Sequence, residues 1–109
     1  MGKFIELKAS DGHQLAAYLA EPSGKARGGV VVIPEIFGVN SHIRQMSDGF
    51  AAEGYRAVSP AMFDRMQRNY DTGYSQPEIE AGRVIMQKLD WKQAVLDVQA
   101  AVEEAAKGG

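Results

Sequence analysis

The chain has 109 residues, of which 45% are hydrophobic and 24% charged, the balance of a single globular domain with one core. Twelve Lys and Arg against fourteen Asp and Glu give a formal net charge of −2 with no basic run, so a nucleic-acid partner has no electrostatic footprint here. The absence of cysteine excludes disulfides, thiolate metal sites and a thiol nucleophile contributed by this chain. No apolar run approaches the ~18 residues of a membrane span, and no charged, apolar, small-residue leader pattern opens the chain. The expectation is a cytoplasmic protein without a membrane partner.

Lys3 to Ala9 and Gln14 to Ala20 are short apolar-polar segments around Ser10-Asp11-Gly12-His13, which predicts a β-hairpin with Asp-Gly in its turn. Glu21 to Gly29 contains Pro22 and three glycines without apolar period and reads as a loop. Val30-Val31-Val32-Ile33 is a β-branched run with the length of a strand buried on both faces, as in the middle of a parallel sheet. From Asn40 or Ser41 to Gly54, Ile43, Met46, Phe50 and Ala51 recur at helical spacing, and Gly54 suits the left-handed residue past a helix end. Arg56 to Pro60 is a short strand stopped by proline, and the intervening helix implies a parallel right-handed crossover.

Residues 61 to 76 have no clean period and predict a long loop over the strand ends. Ser75-Gln76-Pro77-Glu78 has the form of a capping box with proline in the first turn, opening a helix from about Gln76 to Lys88. Asp90 caps a second helix, with Gln93 at the reciprocal position. Its apolar stripe is Trp91, Ala94, Val95, Val98, Ala101, Val102 and Ala105, while Lys92, Gln93, Asp97, Glu103 and Glu104 are expected to face water.

Glu35, in Pro34-Glu35-Ile36-Phe37-Gly38, stands just past the end of the β-branched strand, at the edge where open α/β sheets bind ligands. A half-desolvated carboxylate there can accept a proton near neutrality, or it can cap the next helix or pair with Arg44 or Arg65. His13 lies in a hairpin turn and His42 opens a helix whose dipole disfavours a cation, so both read as surface residues. No serine lies in G-x-S-x-G, Gly24-Lys25 lacks a P-loop context, and two distant histidines make no metal site. Met46, Met62, Met66 and Met86 serve either packing or an apolar pocket.

The run Ile33 to Arg44, I-P-E-I-F-G-V-N-S-H-I-R, resembles the E-I-F-G-[VL]-N segment of the dienelactone hydrolases (carboxymethylenebutenolidases), a branch of the α/β-hydrolase fold. Asp11-Gly12-His13 is similar to that family's first hairpin turn, Glu53-Gly54-Tyr55 to the end of its first helix, and Pro60-Ala61-Met62-Phe63-Asp64-Arg65 to the loop after its next strand. The resemblance covers essentially the whole chain, yet only the N-terminal half of the family domain. It implies an α/β fold over residues 1–109 as one partial domain: an antiparallel hairpin, then parallel strands with a crossover helix, then two C-terminal helices.

The resemblance also implies roles. Glu35 matches the glutamate that helps the family's thiol become thiolate, and the Ile36 N–H matches the first donor of the oxyanion hole. Phe37 would line the substrate pocket, or with Ile36 simply plug its floor. Arg83 lies about one helical turn from where the family's substrate-holding arginine falls, and it either grips a substrate carboxylate or pairs with Glu78 or Glu80. Structural roles are expected for Arg44 and Arg65, and no cofactor or metal is called for.

Three functions follow as expectations. The chain is the N-terminal half of a hydrolase acting on a small carboxylate-bearing ester or lactone, inactive alone because the G-x-C-x-G elbow, the aspartate and the histidine lie elsewhere. Alternatively it is a non-catalytic binding module or split-enzyme partner, a dimer or the complement of a C-terminal half, since an apolar strand edge would otherwise stay uncovered. The third reading is a small independent enzyme using Glu35 as a general base.

Overall fold

Residues 2–34, 36–68 and 70–107 are described by a computed structural model of the chain. The hairpin forms as its turn chemistry dictates. Strand β1 (Lys3–Lys8) pairs antiparallel with β2 (Gln14–Ala20), and between them Gly12 takes a φ of +93° that a side chain would resist. Asp11 Oδ1 accepts from the His13 N–H at 3.2 Å, an Asx-type brace for the turn.

Two further strands complete a mixed sheet of order β1-β2-β4-β3, with β3 (Gly29–Val31) parallel to β4 (Arg56–Pro60) and β4 antiparallel to β2. Helix α1 (Ser41–Ala52) connects β3 to β4, and α2 (Gln76–Gln87) and α3 (Trp91–Ala106) follow the long loop. The described residues therefore hold the hairpin-then-parallel arrangement expected of a partial α/β-hydrolase domain. Among them, no helix is long and apolar enough to cross a membrane.

Alternation along β2 divides the core. Leu15, Ala17 and Leu19 meet Ala100, Ala101 and Ala105 of α3 on one face, while Tyr18 and Ala20 meet Ile43 and Ala51 of α1 on the other. Every residue of β4 after Arg56 is buried as well. The strand expected in the middle of the sheet is instead β3, and this is a correction. It is three residues long, lies at the sheet edge, and leaves Val30 and Val31 half-buried and Ile33 50% exposed. A β-branched run fits a pleated surface wherever it lies, and among the described residues only β4 pairs with it.

The helix caps follow local rules. Asn40 accepts from the Ile43 N–H to cap α1, Gly54 ends it with φ +99°, and Ser75 with Glu78 forms the full reciprocal box on α2. Glu78's carboxyl is held below its ordinary range by the Ser75 hydroxyl and the Gly73 and Ser75 N–H groups. The inward face of α1 differs from expectation: Ile43, Ser47 and Ala51 are buried, whereas Met46 and Phe50 are exposed. Ser47 passes as a core residue because its hydroxyl donates to the Ile43 carbonyl at 3.0 Å.

Helix α3 also departs from its expected stripe. Asp97, expected in water, is 1% exposed and receives Arg65 through two hydrogen bonds, Nε at 3.0 Å and Nη2 at 2.9 Å. Trp91, Val95 and Val102 are exposed instead. Rotating the buried stripe toward Ala94, Ala100 and Ala101 brings α3 close against the sheet, where small residues fit. At Gly29 a Cβ would lie 2.6 Å from the Ala105 carbonyl oxygen.

Candidate functional site

A cleft of about 360 Å³ opens beyond the carboxyl ends of β3 and β4. Its described walls are Ile33, Pro34, Ile36 and Phe37 from the loop after β3, Met62 and Phe63 from the loop after β4, and Met86, Leu89 and Trp91 from the α2–α3 corner. The position follows from topology, because strand ends in an open α/β sheet leave a crevice that only loops can close. All of these walls are apolar, which suits the hydrocarbon part of a small ligand and strengthens any charge interaction inside. Met62 and Met86 are thus pocket-lining methionines, and Phe63 packs beside them with Ile36, Ile85 and Leu89.

Glu35 lies outside the described residues. Its neighbours in the chain, Pro34 and Ile36, both line the cleft.

The loop carrying Ile36 and Phe37 is held from three sides. Gly38 adopts φ +79° and bridges to Asp71, and the Thr72 N–H donates to the Phe37 carbonyl at 2.9 Å. The Asn40 side-chain amide donates to the Thr72 carbonyl at 3.0 Å and to the Tyr74 hydroxyl at 3.3 Å, tying the α1 cap to the same segment. Phe37 meets Tyr74 edge to face with centroids 4.4 Å apart. Among the described residues the Ile36 N–H donates to no backbone carbonyl.

The third side is α2. Gly82 is buried with the Ile36 carbonyl so near that a Cβ on Gly82 would stand 2.5 Å from that oxygen and 3.1 Å from the Ile36 Cβ. Sequence reasoning passed over Gly82, although a glycine inside a helix costs about 1 kcal/mol against alanine and so signals a packing reason. Trp91 and Leu89 were likewise not foreseen as cleft walls, because a helix-to-helix corner has no local pocket signal.

Arg83 follows Gly82 on α2 with an exposed side chain and is not among the described cleft walls. Arg44 holds structure, its Nη1 donating to the Val39 carbonyl and to Asp71, each at 2.8 Å. Arg65 likewise joins Asp97 to Asp11, and those two carboxylates push its own proton affinity well above the ordinary range. Asp11 in turn is held low by Arg65 and by the His13 N–H. Among the described residues, no group of three or more His, Asp or Glu could hold a metal ion.

The model of the dienelactone hydrolase family matches residues 15–109. Among curated proteins, a Synechocystis protein provisionally named carboxymethylenebutenolidase is 42% identical over 93 residues, covering 84% of this chain and 38% of that protein. Carboxymethylenebutenolidase 1 of Cupriavidus pinatubonensis is 28% identical over 102 residues, covering 93% of this chain and 44% of that one. Among solved structures, a provisionally named dienelactone hydrolase from Klebsiella pneumoniae superposes with a TM-score of 0.72 at 29% identity, covering 98% of this chain and 46% of the other. The chain spans less than half the length of these relatives.

Proposed function

The chain belongs to the dienelactone hydrolase family, and from that premise we propose that it forms one wall of a cleft that hydrolyses a small carboxylate-bearing ester or lactone. The observation that supports this reading most is the apolar cleft at the carboxyl ends of β3 and β4, with Ile36 and Phe37 in its wall. In the proposed reaction the attacking thiol comes from polypeptide outside these 109 residues, since this chain has no cysteine. The Ile36 N–H donates to the oxygen that becomes negative when the carbonyl is attacked, and one such donor is worth about 3–4 kcal/mol in related machinery.

Glu35 accepts the proton that converts thiol to thiolate, a task for a carboxylate whose charge is poorly solvated. Phe37 packs against the acyl part of the substrate, and Arg83, exposed on α2 outside the described cleft walls, takes its carboxylate only where that group projects from the cleft. Neither histidine serves as the base, His13 being in the hairpin turn and His42 in the exposed first turn of α1.

A second reading, the binding or split-enzyme module, is favoured by a separate observation. Trp91, Val95 and Val102 stand exposed on α3, with Trp91 near Ile33 in the cleft wall and Val102 near Gly29 and Val31 of β3, the edge strand among the described residues. An apolar helix face beside an open strand edge is a docking surface for another polypeptide. In this reading it receives a complementing C-terminal half or a second copy.

One experiment separates the readings. The chain is assayed on an activated ester alone and when co-expressed with the C-terminal half of a full-length relative. Turnover only in the combination, reduced at least tenfold by Glu35→Gln, is the expected outcome. Turnover by the chain alone that survives Glu35→Gln removes both Glu35 and the shared-cleft reading. Complex formation without turnover leaves the binding module.

A further inference from the structure

Ile43 and Ala51 turn α1 onto β2 and β4, on the sheet face opposite α3. The other side of α1 carries His42, Met46, Gly49 and Glu53, all exposed and spaced four, three and four residues apart, so they form one stripe along the helix. Phe50 flanks the stripe, and with Met46, Gly49 and Glu53 it lines a shallow depression of about 280 Å³.

Three positions of this stripe run against what an isolated helix prefers. Glycine weakens a helix interior relative to alanine. Gly82 has its reason inside the fold, the nearby Ile36 carbonyl, whereas a Cβ on Gly49 would meet no described heavy atom within 4 Å, and Gly49 has no positive φ. His42 stands in the first turn, where the helix dipole favours anions, and Glu53 is the C-cap, where it favours cations. Local rules broken together on one exposed face, with no packing reason within the fold, point to a reason outside it.

Laid antiparallel against a copy of itself, the stripe is self-complementary. The register that sets His42 opposite Glu53 also sets Met46 opposite Gly49, because both pairs share a midpoint between Ser47 and Asp48. The long Met46 side chain then enters the space above the glycine, and the His42 ring N–H donates to the Glu53 carboxylate. A two-fold axis makes each contact twice.

We infer that α1 pairs antiparallel with α1 of a second copy of this chain through His42, Met46, Gly49 and Glu53. One twelve-residue helix per copy is a small contact, so the association is weak and reversible. It stands apart from the hydrolase reading, because none of the four residues lines the apolar cleft.

The test is sedimentation of the chain from about 10 μM to about 1 mM, over which the mass should rise toward that of a dimer. His42→Glu opposes two carboxylates and Glu53→Lys opposes two donors. Each opposition occurs twice across the axis and should weaken the dimer about tenfold. Both substitutions suit the helix dipole, so the fold is kept. The double variant, and an equal mixture of the two single variants, should recover the parent affinity, since a carboxylate again faces a donor at both ends. Within one chain the two positions lie about 16 Å apart along the helix, so recovery arises between copies. Gly49→Ala should raise the melting temperature of the dilute chain yet weaken the dimer, because the methyl takes the space that Met46 enters. Val95→Thr, on α3, should leave the association unchanged. A constant monomer mass over the whole series, a double variant no tighter than the single ones, or association lost with Val95→Thr alone would overturn the pairing.

Discussion

The middle of the sheet and its β3 edge are built from similar residues and end in opposite conditions. β2 and β4 are covered by α3 on one face and α1 on the other, and Leu15, Ala17, Ala57 and Val58 have no measurable exposure. Among the described residues β3 pairs with β4 alone, and Ile33 after it and Trp91, Val95 and Val102 on α3 are exposed. Stability therefore resides in the middle, whereas the proposed chemistry resides at the edge, where the cleft opens between loops. The loop wall of the cleft is held in shape from behind by the Gly38, Asn40 and Gly82 contacts.

The comparison breaks if the middle proves soft. Removing Asp97 leaves Arg65 with only the more exposed Asp11 as its carboxylate partner, so Asp97→Ala should cost up to ~3–5 kcal/mol, the range for breaking a buried ion pair, read from the denaturant midpoint. Arg65, 11% exposed, is the group left behind. Leu15→Ala empties a site with no exposure and should cost ~2–5 kcal/mol by the same measurement. A loss under ~1 kcal/mol in either would mean that the sheet centre collapses around the gap and does not anchor the fold.

At the edge, Gly82→Ala inserts a methyl against the Ile36 carbonyl, and overpacking of this kind costs ~1–3 kcal/mol. Its sharper readout is activity in the complemented enzyme, where kcat should fall by at least tenfold as the Ile36 N–H is displaced. Unchanged kcat in a folded Gly82→Ala protein would show that Ile36 supplies no oxyanion donor.

What could be read from residues alone sorts by range. The Asp-Gly turn, the Gly54 stop and the Ser75–Glu78 box each need only three or four neighbouring residues, and each occurs where expected. Asp97 was misread because its partner, Arg65, is 32 residues away and helical periodicity scores an aspartate as outward by type. Met46 and Phe50 were misread for the converse reason, since Ser47 satisfies its hydroxyl inside the helix and takes the inward position. For the site, Ile36 and Phe37, which line the cleft, were assigned to a pocket by the family resemblance, and the strand-end rule was applied to Glu35, outside the described residues. It could not give the depth of β3 in the sheet, which depends on what flanks it.

Acid should probe the middle more than the edge. Glu104 is desolvated by burial, which raises its proton affinity, but Lys107 and Arg56 outweigh that and hold its carboxyl below the usual 4.5. A carboxylate lowered in the folded state contributes stability that is present above its unfolded value and is lost as pH falls through the folded value. Melting temperature should accordingly decline as pH drops below about 4.5, and Glu104→Gln should flatten part of that decline. Tyr18 gives the opposite limb. Burial, then the hydrogen bond to Asp48 at 2.8 Å, raises its proton affinity, so its contribution holds below pH 10 and is lost above it. Tyr18→Phe should remove that alkaline dependence.

The smallest expected effect is the most informative about the edge. Val95 is 64% exposed on α3, so Val95→Thr should change the stability of a lone chain by no more than ~0.5 kcal/mol. The argument turns on concentration. If a second copy covers this face in solution, stability must rise with protein concentration, because association stabilises only the folded partner. Val95→Thr would then cost more at high concentration than at low. A cost that stays near zero across a hundredfold dilution series means that copies of the chain do not cover the face. In that case the docking proposed for this face is left to a different polypeptide.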